Sequence, residues 1–237
     1  MRRFLGFMDS RLLPTLLVLW ATSAQATGLS GRVEITDTGD STRQDASQVV
    51  VWLVGVSSQQ VTGTSGQDSP FSMASKNKEF QPGLLVIPVG TTVEFPNRDP
   101  ISHNVFSLSS GNQFDLGLYD ANTVKSVQFE QPGLVRVYCN IHSRMVGFIH
   151  VIGHPYYALT DSAGRFVIED IPQGTYLLKT WEEKAGEQQH PAVRINDQMT
   201  EGLLLRVDAR GFKPRSHLNK FGQPYSNPTS PSDGEQY

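Results

Sequence analysis

Short apolar runs, each closed by glycine, proline, asparagine or aspartate, fill the chain from Leu29 to Val207. Several alternate apolar and polar residues, as in Thr92-Val93-Glu94-Phe95 and Leu134-Val135-Arg136-Val137-Tyr138. A period of two puts one set of side chains on one face of an extended strand, so such runs predict half-buried β-strands. No stretch long enough for an ordinary helix, roughly twelve residues, carries a convincing 3.6-residue period. The strands expected on this reading are 29–35, 49–56, 84–89, 92–95, 104–108, 126–129, 133–138 and 147–152. A second group follows at 156–160, 165–169, 175–182, 192–195 and 203–207, with turns at Asp161-Ser162-Ala163-Gly164 and Ile171-Pro172-Gln173-Gly174. Many short strands with regular turns predict an all-β chain built as sandwiches or barrels.

Composition sets the remaining bounds. Of 237 residues, 38% are hydrophobic and 18% charged, which suits a globular core and excludes a wholly disordered chain or a multi-span membrane protein. The net charge of −3 disfavours nucleic acid as the main partner. Residues 1–26 have the three parts of a secretory leader: Arg2, Arg3 and Arg11, then the short apolar run 12–21, then Ala24-Gln25-Ala26 as a small-x-small cleavage site. The run is too short to span a bilayer comfortably, so export to the periplasm is expected, with no stable membrane span after cleavage. At the other end, residues 210–237 are poor in apolar residues and rich in Pro, Gly and Ser, and are expected to be a disordered tail.

The chain has one cysteine, Cys139. No intrachain disulfide, zinc ribbon or multi-thiolate cluster can form from it. An exported chain with one thiol has it buried and inert, in an intermolecular link, or bound to a metal. Its surroundings favour the metal. Cys139-Asn140-Ile141-His142-Ser143-Arg144-Met145 follows one expected strand and precedes another, and His103 lies on an earlier strand. One thiolate, two imidazoles and a thioether form the donor set of a mononuclear blue-copper site, with two His and one Cys in a trigonal arrangement and a weak axial Met. Zinc can use the same imidazoles and thiolate, but a thioether suits copper better. The alternative for Met145 is plain packing over the site. Donors from two separate strands would make the protein fold, not the ion, set the geometry, and that favours electron transfer.

The segment Val89-Gly90-Thr91-Thr92-Val93-Glu94-Phe95-Pro96-Asn97-Arg98-Asp99, followed by His103-Asn104-Val105-Phe106, resembles the first ligand region of plastocyanin-like cupredoxins. The gap from His142 to Met145 is similar to the short ligand loop of amicyanin and pseudoazurin. Ile141 stands where the simplest members have proline. Residues 159–166 and 170–176 resemble a carboxypeptidase regulatory-like, transthyretin-like domain, and the pairing of the two resembles the exported proteins often labelled methylamine utilization proteins. The resemblance implies a cupredoxin Greek-key β-sandwich over 27–153 and a small second β-sandwich over 154–209. It also implies His103, Cys139, His142 and Met145 as ligands of one copper ion, and Asn104 as the residue tying the ligand loops together near the Cys139 sulfur.

Other residues have simpler expected roles. Phe95, Phe106, Phe148 and Met73 belong to a core, and Trp52 and Trp181 anchor one sandwich each. His150 alternates away from Ile149 and Val151 and is expected to be a solvated strand histidine. His190 and His217 are expected at the surface, and Asp161 in a turn. There is no phosphate-cradling glycine loop and no Gly-x-Ser-x-Gly elbow, and no carboxylate pair stands out, so no catalysis is expected. The sequence thus predicts an exported one-electron copper carrier with an unnamed redox partner. The other readings are a copper-delivery or storage protein and a non-redox β-sandwich interaction module.

Overall fold

The computed structural model describes residues 27–55, 71–213 and 217–225. The expected leader, residues 1–26, lies outside them, as do residues 226–237. All regular structure among the described residues is β. The strands are β1 (Gly28–Thr36), β2 (Val50–Gly55), β3 (Phe71–Ser72), β4 (Ala74–Lys76), β5 (Glu79–Gln81), β6 (Leu84–Pro88), β7 (Thr91–Pro96), β8 (His103–Ser107) and β9 (Phe114–Tyr119). They continue with β10 (Val124–Phe129), β11 (Gly133–Tyr138), β12 (Val146–Ile152), β13 (Tyr157–Leu159), β14 (Arg165–Glu169), β15 (Gly174–Glu182), β16 (Gly186–Ile195) and β17 (Met199–Asp208).

One sandwich packs the sheet β6-β12-β11-β8-β9 against β10-β7-β3, with the hairpin β4-β5 at its side. Its core is formed by Val93, Phe95 and Phe129 from the smaller sheet and Ile87, Val105, Val135, Val137 and Ile149 from the larger. The period-two pattern builds this core directly, because alternate residues of each strand meet between the sheets. The second sandwich packs β14-β1-β17 against β13-β2-β15-β16. Leu29, Val33, Ile35, Phe166, Ile168 and Val207 face Val51, Leu53, Tyr176 and Leu178 there.

Strand pairing moves the boundary that the sequence suggests. β1 and β2 lie early in the chain and read as part of a first domain spanning 27–153. Instead β1 pairs antiparallel with β14 and parallel with β17, while β2 pairs with β13 and β15. The chain therefore starts in the second sandwich, passes through the first from β3 to β12, and returns. Apolar pattern alone carries no partner information, and sequential strands only tend to be neighbours.

The same pairing revises the expected places of three residues. Trp52 on β2 and Trp181 on β15 do not anchor different sandwiches; they share one sheet and one cluster with Val50, Val86 and Ile152. That cluster joins the outer face of β12 and β6 to the outer face of β2 and β15. It explains why Val50-Val51-Trp52-Leu53 and Ile149-His150-Val151-Ile152 are buried on consecutive residues: both faces of each strand are covered. His150 does point away from Ile149 and Val151, but into this cluster and not into water. It is 7% exposed, its ring edge-on to Trp52 at 4.8 Å and to Trp181 at 6.3 Å.

Candidate metal centre

The site forms at one end of the first sandwich, where β8 lies beside β11. β11 and β12 are antiparallel neighbours with Tyr138 opposite Val146, so residues 139–145 are the connection between them. Two backbone bonds fold that connection on itself: Cys139 N–H to Met145 O at 3.2 Å, and Met145 N–H to His142 O at 3.1 Å. On the other side of β11, Tyr138 is opposite Phe106 of β8. Following the antiparallel register from Phe106 back toward the start of β8 puts His103 beside the loop. Two residues of one hairpin loop thus meet a third from 36 positions earlier, because the loop and the start of β8 lie together at one end of the sheet.

The donor atoms of His103, Cys139 and His142 all lie within 4.8 Å of one another. The Cys139 sulfur is 3.5 Å from His142 Nδ1 and 3.8 Å from His103 Nδ1. A thiolate and an imidazole sharing one first-row ion, with bonds of about 2.0–2.3 Å at trigonal or tetrahedral angles, stand about 3.5–3.8 Å apart. The spacing therefore fits a single small ion held by both imidazoles and the thiolate. Cys139 and His103 are fully buried, and Met145 is 1% exposed in the same apolar cluster as Cys139. His142 is half-buried beside Ile141, which is 49% exposed.

Burial and hydrogen bonding act on the sulfur in opposite directions. Burial pushes the Cys139 thiol above its ordinary pKa, while the backbone N–H groups of Ile141, Asn104 and His142 act against that rise. Three amides directed at one buried sulfur would stabilise its anion once a cation replaced the proton.

The buried imidazole is held from behind by Asp99, which the sequence did not single out. Asp99 Oδ2 is 2.8 Å from His103 Nε2, which leaves Nδ1 as the nitrogen directed toward the sulfur. Asp99 also accepts the N–H groups of Asn77 at 2.6 Å and Lys78 at 2.9 Å. Burial raises its pKa, but those two N–H groups and His103 outweigh it, so the carboxyl stays below the ordinary value. Asn97 sets up this loop: its Oδ1 accepts the Asp99 N–H and its Nδ2 donates to Ile101 O. A carboxylate behind a ligand histidine fixes its tautomer and orientation. The signal was available in the sequence as an Asp four residues before the His.

Asn104 lies beside the thiol, and its backbone and side chain take different partners. Its side chain donates to Asp115 on the neighbouring β9 at 2.7 Å, and its Oδ1 has no hydrogen-bond partner among the described residues. Its backbone N–H is the group that reaches the Cys139 sulfur. Met73 is fully buried in the core of this sandwich, as expected.

Part of the expected disordered tail is placed, because residues 217–225 pack against the site. His217, expected at the surface, stacks on Tyr138 with ring centroids 4.4 Å apart and 27° between planes. Tyr225 donates its hydroxyl to the Cys139 carbonyl at 2.7 Å. His217, Leu218, Phe221 and Tyr225, clustered within nine residues of a largely polar tail, were the available signal.

No protein-family model matches the chain, and no curated protein matches it. Solved structures do. An oxidised methionine-to-leucine mutant of amicyanin is similar at 20% identity over 36% of this chain and 85% of that one, with a TM-score of 0.34. The reduced Cu(I) form of a proline-to-glycine mutant of amicyanin is similar at 21% identity over the same shares, also at 0.34. A Cu-containing nitrite reductase from Thermus scotoductus is similar at 27% identity over 39% of this chain and 24% of that one, again at 0.34.

Proposed function

We propose that the protein is an exported one-electron carrier in which His103, Cys139 and His142 would hold a single copper ion, with Met145 as its thioether donor. The observation that carries this reading is the convergence of two imidazole nitrogens and one buried thiol within 4.8 Å, at separations that suit one ion. When bound, copper supplies the one-electron couple. The chain's own residues supply the rest. Asp99 keeps His103 in one tautomer, the three amides around Cys139 favour its thiolate, and the apolar cluster around Cys139 and Met145 excludes water. A preformed set of donors changes little when charge changes, which keeps electron exchange fast. Electrons exchange at the His142 edge, where the half-buried ring and exposed Ile141 bring the site nearest to the surface. The secretory pattern of residues 1–26 supports a periplasmic location, and the second sandwich serves as an accessory module.

Titration of the protein with Cu(II), followed by absorption and paramagnetic resonance, tests the reading. One equivalent should give an intense visible band from the Cys139 sulfur to copper, and Cys139→Ser should abolish it. A colourless one-to-one copper complex with Cys139 intact would refute the carrier.

A further inference from the structure

We infer that residues 217–225 are a working part of the metal centre: a strap that holds the Cys139 loop closed and slows release of the ion. The inference rests on the copper reading of the site for its consequence, but not for the docking itself, which involves protein groups only.

The strap carries its own turn. Asn219 Oδ1 accepts the N–H groups of Phe221 at 2.9 Å and Gln223 at 3.0 Å. Backbone bonds from Asn219 N to Gln223 O and from Gly222 N to Asn219 O, each 2.9 Å, close the same turn. Gly222 sits there at φ +73°, a conformation that costs glycine little. The turn presents Lys220 and Tyr225 to one side.

Three kinds of contact then grip the ligand region. Tyr225 Oη donates to the carbonyl of Cys139 itself and lies 3.2 Å from His217 Nδ1. The Lys220 N–H donates to Asn140 Oδ1 at 2.9 Å, the residue after the cysteine. His217 stacks on Tyr138, the residue before it, and Tyr138 in turn lies 5.7 Å from Phe106. Three consecutive residues, 138 to 140, are therefore held by one segment. A fourth contact reaches the sulfur from the β8 side. Lys220 Nζ pairs with Asp115 Oδ2 at 2.7 Å, Asp115 Oδ1 holds Asn104 Nδ2, and the Asn104 N–H is directed at Cys139 Sγ.

The surface ion pair contributes little by itself, since both partners are partly exposed. The Tyr225 and Asn140 bonds matter more, because they act on a short loop that carries three of the donor side chains. Loss of one such neutral hydrogen bond corresponds to roughly a 2- to 12-fold change in an equilibrium. Outer partners of metal ligands typically change metal affinity about 10- to 100-fold. Tyr225→Phe should therefore speed copper loss roughly 3- to 10-fold, and a chain ending after Lys213 should speed it more.

The test loads the full-length protein, Tyr225→Phe, Lys220→Ala and the shortened chain with Cu(II), reduces each with ascorbate once its colour is recorded, and measures the rate of Cu(I) transfer to bicinchoninate. Amide hydrogen exchange at residues 139–145 is measured on the same four proteins without metal. Blue full-length and variant proteins with faster copper loss in Tyr225→Phe, at an unchanged unfolding midpoint, support the strap. Equal loss rates in blue proteins overturn it and leave the copper reading intact. If none of the proteins turns blue, the copper reading fails. Exchange then decides the strap alone: unchanged protection of 139–145 on shortening overturns it, and lost protection supports its docking.

Discussion

Acid should weaken the protein through one histidine, His150, between the two sandwiches. The ring is enclosed by Trp52 from β2 and Trp181 from β15, and Leu134 and Val86 flank it in its own sheet. Burial pushes its pKa down to about 4; Glu187 on β16 opposes this and His154 adds to it. Its Nδ1 has no hydrogen-bond partner among the described residues. An ordinary histidine titrates near about 6.5, so the folded state binds this proton less readily than the unfolded chain. The sign follows. Above about pH 6.5 both states are neutral and nothing is lost. As pH falls from about 6.5 toward 4 the unfolded chain takes up the proton first, and stability declines. The gap corresponds to about 3 kcal/mol in full, of which about 2 kcal/mol is gone by about pH 5. Substituting His150→Leu keeps an apolar group in the cluster and removes the titration. Urea unfolding at about pH 7 and about pH 5, followed by the fluorescence of the flanking tryptophans, measures it. The native protein should lose about 2 kcal/mol more than the variant between those two pH values. Equal losses in the two proteins would refute the assignment of this acid sensitivity to His150.

Two further outcomes are expected. Asp99→Asn keeps the size of the side chain but removes the charge behind His103, so copper affinity should fall about 10- to 100-fold in competition with a chelator; an unchanged affinity would show that the carboxylate does not set the ligand. Thr160→Val removes a buried hydroxyl that donates to Ala46 O and accepts from the Val49 N–H, leaving both unmet. That should cost about 1–3 kcal/mol by chemical denaturation, and a loss under about 0.5 kcal/mol would contradict it.

How far the sequence went depends on the range of the interaction involved. Alternation and turn chemistry are local, so the strands 133–138 and 165–169 were readable residue for residue, and most others to within a few positions. β9 was missed because Phe114-Asp115-Leu116-Gly117-Leu118-Tyr119 is interrupted by an aspartate and a glycine, which read as a turn. The short strands β3 to β5 fall beside a polar stretch and are too brief to show a period.

The donor set was legible for a chemical reason. His103, Cys139, His142 and Met145 are rare residue types whose combination in one β chain has few uses, and the short loop carries three of them. What brought His103 to that loop is the Phe106–Tyr138 register, and strand pairing leaves no trace in local pattern. The same holds for everything the sequence misplaced. β1 and β2 belong to the sandwich completed by β14, β15 and β17 because hydrogen-bonded neighbours are chosen across more than a hundred residues. His150 looks solvent-facing by alternation and is buried because a second sheet covers that face. The strap of His217, Lys220 and Tyr225 over Cys139 is a set of contacts between groups without a spacing rule. Thus the sequence by itself determined the all-β class and the candidate ligands, through local periodicity and side-chain chemistry. The tertiary structure alone decided which strands are neighbours, which polar groups are buried, and what surrounds the thiol, because each of those is set by long-range pairing.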